Sequence, residues 1–156
     1  LKATRDVIAD RVNRLTDKTR DLEKQLERLQ QKLASSQAKD LINNVQDING
    51  QKVLIASLPG MDGKALRTIA DDMKSKLHDG IVVLAGVADD KIALTASVGK
   101  DLTSKIKAGD IIKHLSEQLG GKGGGKPDFA QGGATDVAGL PGVLAALPNW
   151  LAERLA

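Results

Sequence analysis

The sequence contains no cysteine, which excludes disulfide bonds and thiolate metal sites and is compatible with the reducing cytoplasm where we expect the protein to reside. Its two histidines, His78 and His114, are far apart and match no metal-binding spacing. We therefore expect no metal, no cofactor and no catalytic centre in this chain. No apolar run approaches the roughly 20 residues that cross a bilayer, so no membrane partner is expected.

Aromatic residues are almost absent, since Phe129 and Trp150 are the only two. Proteins that bind single strands by stacking successive bases need more aromatic side chains, so that binding mode is not expected. Basic residues, in contrast, cluster: residues 1–39 contain ten lysines and arginines against six acids, and residues 100–126 contain six lysines against three acids. The net charge of +3 favours a polyanionic partner only mildly, but both stretches are locally basic.

A seven-residue apolar repeat occupies the first part of the chain. One seam position holds Leu1, Ile8, Leu15, Leu22 and Leu29, and the other holds Val12, Thr19, Leu26 and Leu33. This pattern is typical of a coiled coil, and a helix of about 33 residues, roughly 50 Å long, cannot bury its own apolar stripe. We expect Leu15, Leu22, Leu26 and Leu29 to form a dimer seam. The repeat ends at Ser35 and Ser36, and residues 37–40 are predicted to form a short linker.

The rest of the sequence has the pattern of a small α/β domain. Two apolar-rich runs joined by Asn49-Gly50 predict a β-hairpin, and helical spacing behind the candidate cap Asp62 predicts an amphipathic helix. A second hairpin is predicted to turn at Asp89-Asp90. A short helix capped by Asp110 is expected to follow, and then a final helix from about Leu140 that Pro148 kinks or splits.

These elements define the expected architecture. The fold class is α+β, with a long coiled-coil-like helix in residues 1–39. Residues 40–156 are expected to form a globular α/β domain with a mixed sheet and a glycine-rich loop. Because the sequence begins at Leu1 rather than at a methionine and has no signal pattern, we expect it to be a segment of a longer chain.

The run GGKGGGKPDFAQGG, from Gly120 to Gly133, holds seven of the sixteen glycines. Without Cβ atoms, this backbone can adopt positive φ and bring its N–H groups against a phosphate or a sugar, while Lys122 and Lys126 add positive charge. We predict a loop that leads into a helix starting near Asp136. The run is neither a Walker A loop nor a dinucleotide fingerprint. From composition alone, a turning connection with two incidental lysines explains the run equally well.

The segment GGKGGGKPDFAQGGATD, from Gly120 to Asp136, resembles the glycine-rich signature near the carboxyl terminus of bacterial alanyl-tRNA synthetases, in the DHH-associated domain family. The final helix with Trp150, the basic helical lead-in and the element order of residues 41–156 resemble the same family. The resemblance implies a tRNA-binding C-terminal domain of an alanine–tRNA ligase that contacts the outer corner of tRNA-Ala. It also implies that aminoacylation and editing, with ATP and zinc, belong to upstream domains.

The domain is also similar to the one that follows the catalytic domain in DHH-type phosphoesterases, whose loop commonly carries Gly-Gly-Gly-His. Lys126 stands in place of that histidine and Pro127 follows it, which favours the synthetase branch. Three hypotheses therefore compete: an RNA-binding part of a ligase, a homodimerisation module of the same synthetase, and the ligand-binding domain of a phosphoesterase. The first two are compatible with each other.

The resemblance places the expected RNA contacts in the glycine run. The predicted contact residues are Lys122, Gly123, Gly124, Gly125, Lys126 and Gln131. The two lysines are expected to meet phosphates, because phosphate groups can approach a glycine backbone closely. Gln131 either bonds a base edge or a 2′-hydroxyl, or ties the loop to the following helix. Phe129 either stacks on an exposed base or anchors the loop in the core.

The seam generates the first testable prediction. Because the apolar stripe of residues 1–34 lacks an internal partner, we expect the chain to self-associate through it, and sedimentation measures this. A strictly monomeric species at high micromolar concentration, with the helix still formed, would contradict the prediction.

Overall fold

A computed structural model describes residues 2–156, so Leu1, the first residue of the predicted repeat, lies outside the described residues. The helices are α1 (Lys2–Leu41), α2 (Gly63–Lys76), α3 (Ala108–Gln118) and α4 (Leu140–Leu155). The strands are β1 (Gln46–Ile48), β2 (Gln51–Pro59), β3 (Ile81–Ala88), β4 (Lys91–Val98), β5 (Lys122–Gly125) and β6 (Phe129–Ala134). The expected α+β class, a long helix followed by a mixed-sheet domain, is confirmed. Among residues 2–156, no helix is long and apolar enough to span a membrane.

Helix α1 continues beyond the apolar repeat. Residues 37–40, predicted as a linker, are helical, because Gln, Ala and Lys are good helix formers and sustain the helix after the repeat ends. The chain nevertheless divides into two compact units, one ending at Ala34 and the other spanning Ser35–Ala156. In the first unit the seam leucines are exposed, from 52% at Leu33 to 64% at Leu15. Pairing of this stripe stays a prediction.

The second unit is built on a six-stranded sheet of order β1-β2-β3-β4-β6-β5. Strands β2 and β3 are parallel and are connected by α2, while the other neighbours are antiparallel. Both predicted hairpin turns are present. Asn49 and Gly50 have φ values of 54° and 83°, and Asp89 and Asp90 have 51° and 57°, as a type I′ turn requires.

The sheet has helices on both faces. Helix α2 contacts β3 and β4 on one face, whereas α3 contacts β4, β5 and β6 on the other. The core on the α3 side contains Val83, Leu94, Ile112 and Leu115, and it extends to Leu151 of α4. Since alternate residues of a strand point to opposite faces, the neighbouring Leu84 points to the α2 side. All four residues of β5, at the sheet edge, are exposed.

The glycine run, predicted as a loop, forms the hairpin β5–β6 instead. Within this run of the described chain, Gly120 alone has a positive φ, of 71°. The glycines serve close packing: a Cβ on Gly123 would lie 2.5 Å from Ile112 Cγ2, and one on Gly132 would lie 2.7 Å from the same atom. An extended backbone without side chains on this face lets α3 pack directly on the hairpin.

The helix boundaries differ from the sequence-based expectation at three places. Asp62 caps α2 as predicted, but α3 begins after Lys107, so Asp110 lies in its first turn, where a negative charge also suits the helix dipole. The last helix begins at Leu140, as its helical spacing predicts, and not as early as Asp136. Pro148 lies inside α4, which remains one continuous helix.

Trp150 is half-buried at the junction of α3 and α4. Its ring stacks on His114, with centroids 4.3 Å apart, and the Arg154 guanidinium carbon lies 4.1 Å from the Trp150 centroid. Burial, assisted by the Arg154 charge, lowers the pKa of His114 below its ordinary value. His114 thus takes part in an aromatic stack between two helices. Across residues 2–156 we find no group of three His, Asp or Glu side chains that could hold a metal ion.

Neighbouring glycines of β5 are expected to differ in their tolerance of a side chain. Gly123→Val would force its side chain into Ile112 and lower the free energy of unfolding by about 1–3 kcal/mol or more. Gly124→Val meets no heavy atom of the described chain within 4 Å of its Cβ and should change stability by no more than about 0.5 kcal/mol. Urea denaturation of both variants measures the difference, and equal losses would contradict this packing.

Candidate nucleic-acid interface

Strand alternation gives the glycine hairpin two different faces. Gly123 and Gly132 are cross-strand partners and face Ile112 of α3. Gly124 is paired with Gln131, whose side chain reaches Gly63 at the start of α2, so Gly124 lies on the α2 side of the sheet. Lys122 and its partner Gly133 lie two residues further along the same side. We call Lys122, Gly124 and Gly133 the glycine face; all three are exposed.

Packing within the domain does not explain the glycine at position 124 of this face. A Cβ there would meet no heavy atom of the described chain within 4 Å, and its φ is not positive. A Cβ on Gly125, in contrast, would lie 2.6 Å from Ala130 Cα. The absence of a side chain at Gly124 therefore leaves an open surface bare. At Gly123 and Gly125, in contrast, the packing of the domain requires a glycine. Gly123 and Gly125 remain available to a ligand through the backbone of an exposed strand.

Gln131 ties β6 to α2 rather than to the following helix. Its Nε2 donates to the Gly63 carbonyl oxygen at 2.9 Å and to Thr95 Oγ1 at 3.3 Å. Because a carbonyl oxygen can only accept, the amide orientation is fixed, and Oε1 is the group left to accept a further hydrogen bond. The amide was predicted to tie the loop to the following helix, and it binds the start of α2 instead. The RNA-contact role of Gln131 stays a prediction.

Phe129 is half-buried on the same side of the sheet. The Arg67 guanidinium carbon lies 5.2 Å from the centre of its ring, within the range of a cation–π contact. The ring thus joins the hairpin to α2, and both the stacking and the anchoring role of Phe129 stay predictions. Its contact with Arg67 was not foreseen, because residues 62 positions apart carry no signal in one sequence.

A shallow pocket adjoins the glycine face at the first turns of α2. Its volume is about 450 Å³. We call it the α2 pocket, and its lining residues are Gly63, Lys64, Arg67, Leu94, Gln131 and Gly132. Lys64 and Arg67 are exposed cations that sequence reasoning missed, although their spacing of three along a helix places them on one face.

The turn that carries Lys126 is fixed by backbone hydrogen bonds. The N–H of Lys126 donates to the Phe129 carbonyl at 2.8 Å, and the N–H of Ala108 at the start of α3 donates to the Pro127 carbonyl at 2.8 Å. Val98 of β4 donates to the Asp128 carbonyl at 2.9 Å. Lys122 and Lys126 are both exposed, and the ion pairs found in the described part of the chain involve other residues. Two cations therefore extend from a hairpin that the domain holds in place.

The fold and these residues agree with a comparison against known families. A family model described as the DHHA1 domain matches residues 50–153. The chain belongs to the DHHA1 domain family. The match includes α2, the glycine hairpin and most of α4, and excludes the long helix α1.

Two relatives of this DHHA1 domain chain are alanine–tRNA ligases. An alanine–tRNA ligase of Psychrobacter sp. (strain PRwf-1) is 59% identical over 155 residues, and one of Psychrobacter cryohalolentis is 57% identical over 155 residues. Each match covers 99% of this chain but 17% of the relative, so the chain spans about a sixth of the length of these ligases. The predicted resemblance is thereby confirmed.

A solved structure gives the same result for the fold. The C-Ala domain of Aquifex aeolicus alanyl-tRNA synthetase is similar with a TM-score of 0.64 and 25% identity. The similarity covers 69% of this DHHA1 domain chain and 97% of the solved domain.

The orientation of the Gln131 amide can be tested by a substitution that replaces its nitrogen atom with an oxygen. Gln131→Glu replaces both N–H donors with an acceptor next to the Gly63 carbonyl, so we expect the free energy of unfolding to fall by about 1–3 kcal/mol. Gln131→Met, which removes the donors without adding a repulsive oxygen, is the matched control and should lose less. Urea denaturation decides, and a Gln131→Glu variant as stable as the wild type would contradict this orientation.

Proposed function

We propose that this chain is the tRNA-binding C-terminal part of a cytoplasmic alanine–tRNA ligase. In this proposal the glycine face binds the outer corner of tRNA-Ala and supports aminoacylation and editing, which upstream domains carry out with ATP and zinc. The chain itself performs no catalysis. Two findings support the proposal: its relatives are named alanine–tRNA ligases, and the chain itself is similar to the C-Ala domain of an alanyl-tRNA synthetase.

One observation carries the proposal: the bare surface at Gly124 is flanked by lysines and is not needed by the packing of the domain. A side chain there would be accommodated, yet the position holds a glycine. Close approach of a ligand to the backbone explains this choice, since a phosphate or sugar can then reach main-chain N–H groups. Lys122 and Lys126 stand on either side to neutralise phosphate charge.

The position of β5 adds a second reason. It is the edge strand of the sheet, so half of its backbone groups lack a strand partner within the described chain. Because three of the four residues of this edge strand are glycines, an RNA backbone can reach these groups. The scarcity of aromatic residues argues that selectivity comes from the shape of a folded RNA rather than from base-by-base stacking.

Homodimerisation through α1 is a second candidate function, and the exposed stripe of that helix favours it. Leu15, Leu22 and Leu29 recur every seven residues and are 63–64% exposed. A heptad stripe fits a second copy of itself, because equivalent positions interlock in a parallel coiled coil. A helix from an upstream part of the ligase is the competing occupant, and the self-association measurement separates the two.

The lysines provide the test of RNA binding. We expect Lys122→Ala with Lys126→Ala to weaken binding of a tRNA-Ala transcript and to reduce the slope of log K against log salt by about two, because each lysine neutralises one phosphate. Filter binding across a salt series measures both quantities. A linear RNA of equal length should bind the wild-type chain less well than the folded transcript.

The control replaces two exposed lysines that lie outside the glycine face, with Lys105→Ala and Lys113→Ala. This variant carries the same net charge as the test variant and should retain most of the binding. Unchanged affinity and an unchanged salt slope in the Lys122 and Lys126 variant would remove the hairpin as the contact surface. The basic helix α1 would then be the leading candidate.

A further inference from the structure

The α2 pocket has a composition that the RNA-binding role of the hairpin does not use. Two of its lining side chains, Lys64 and Arg67, are cations, and its remaining lining is neutral. The nearest acid in sequence, Asp62, is engaged as the helix cap, since its Oδ1 accepts a hydrogen bond from the Ala65 N–H at 2.8 Å. The pocket therefore presents positive charge next to the bare glycine face.

Arg67 is held in a position suited to an aromatic ligand. Its guanidinium carbon lies 5.2 Å from the centre of the Phe129 ring, within the range of a cation–π contact. The guanidinium group is planar and Arg67 is exposed, so the side of the group that faces away from Phe129 can receive a nucleobase, as arginine planes do in RNA recognition. A volume of about 450 Å³ exceeds what a phosphate group alone needs and lies within the usual range of small-ligand pockets.

Gln131 supplies a directional group at the wall of the same pocket. Its two donors are used by Gly63 and Thr95, which leaves Oε1 as an acceptor. An acceptor of fixed orientation suits a donor on the ligand, such as the exocyclic amino group of a base or a ribose hydroxyl. The pocket thus combines cations, a stacking plane and one oriented acceptor.

The geometry points to a nucleotide-binding subsite: the α2 pocket receives one nucleotide of the RNA bound on the glycine face. Lys64 and Arg67 bind its phosphate, the free side of Arg67 stacks on its base, and Gln131 Oε1 accepts from its edge. This inference rests on the proposed RNA-binding function and adds α2 to the contact surface. It assigns Lys64 and Arg67 a role in affinity that the sequence did not indicate.

The first test uses adenosine 5′-monophosphate and ribose 5-phosphate as probes of the whole 156-residue chain. In NMR titrations at millimolar concentration, the backbone amide signals of Gly63, Lys64, Gln131 and Gly132 should shift more with the nucleotide than with the sugar phosphate. Arg67→Ala should remove that difference. Equal shifts with both compounds, or none at these amides, would overturn the subsite.

The second test measures binding of a tRNA-Ala transcript. Lys64→Ala and Arg67→Ala should each reduce affinity about tenfold at about 0.1 M salt and lower the salt slope by about one. Lys76→Ala is the control, because it lies on the last turn of the same helix and pairs with Asp72 at 2.8 Å; it should bind as the wild type does. Circular dichroism must show that each variant is folded.

The outcomes separate the two proposals. If binding falls in the Lys122 and Lys126 variant but stays unchanged in Lys64→Ala and Arg67→Ala, the subsite is wrong and the RNA surface stands. If the wild-type chain shows the nucleotide shifts but binds no tRNA, the proposed function is wrong, and the nucleotide cannot be assigned to a bound RNA.

Discussion

The contact between Ile112 of α3 and the backbone of Gly123 and Gly132 is the constraint on which the rest of this domain depends. Both glycines must lack a side chain for the helix to lie this close. Because strand residues alternate, the same contact directs Gly124 and Gly133 to the opposite side of the sheet, where α2 covers β3 and β4. One glycine run thus supplies tight packing on one face and a bare, exposed surface on the other.

Rigid support of the cations follows from this arrangement. Lys122 and Lys126 belong to a hairpin that backbone hydrogen bonds join to α3 and β4, and Gln131 joins the same hairpin to the start of α2. Groups held in place lose less conformational freedom when a polyanion binds than groups on a mobile loop. The hairpin therefore supports the proposed RNA contact better than a mobile loop of the same residues would.

The sequence predicted the architecture well and the glycine hairpin badly. The heptad leucines, the Asn49-Gly50 turn and the Asp62 cap are local signals, and each predicts its own element. The run from Gly120 to Gly133 has no apolar alternation, since glycine has no side chain to alternate, so its strand character is visible only once Ile112 packs on it. Arg67 and Phe129 meet through the fold, and one sequence cannot indicate such a pair. The resemblance, by contrast, depended on local motif spacing and was confirmed.

The most direct test of the central claim is the affinity of a tRNA-Ala transcript for Gly124→Val, measured after denaturation has shown that the variant is as stable as the wild type. Its Cβ would enter open space, so any effect reports on the bound RNA rather than on the domain. If the RNA backbone approaches the glycine face, a branched side chain there should weaken binding more than Lys122→Ala or Lys126→Ala alone. A folded Gly124→Val variant that binds tRNA-Ala with wild-type affinity would contradict the account.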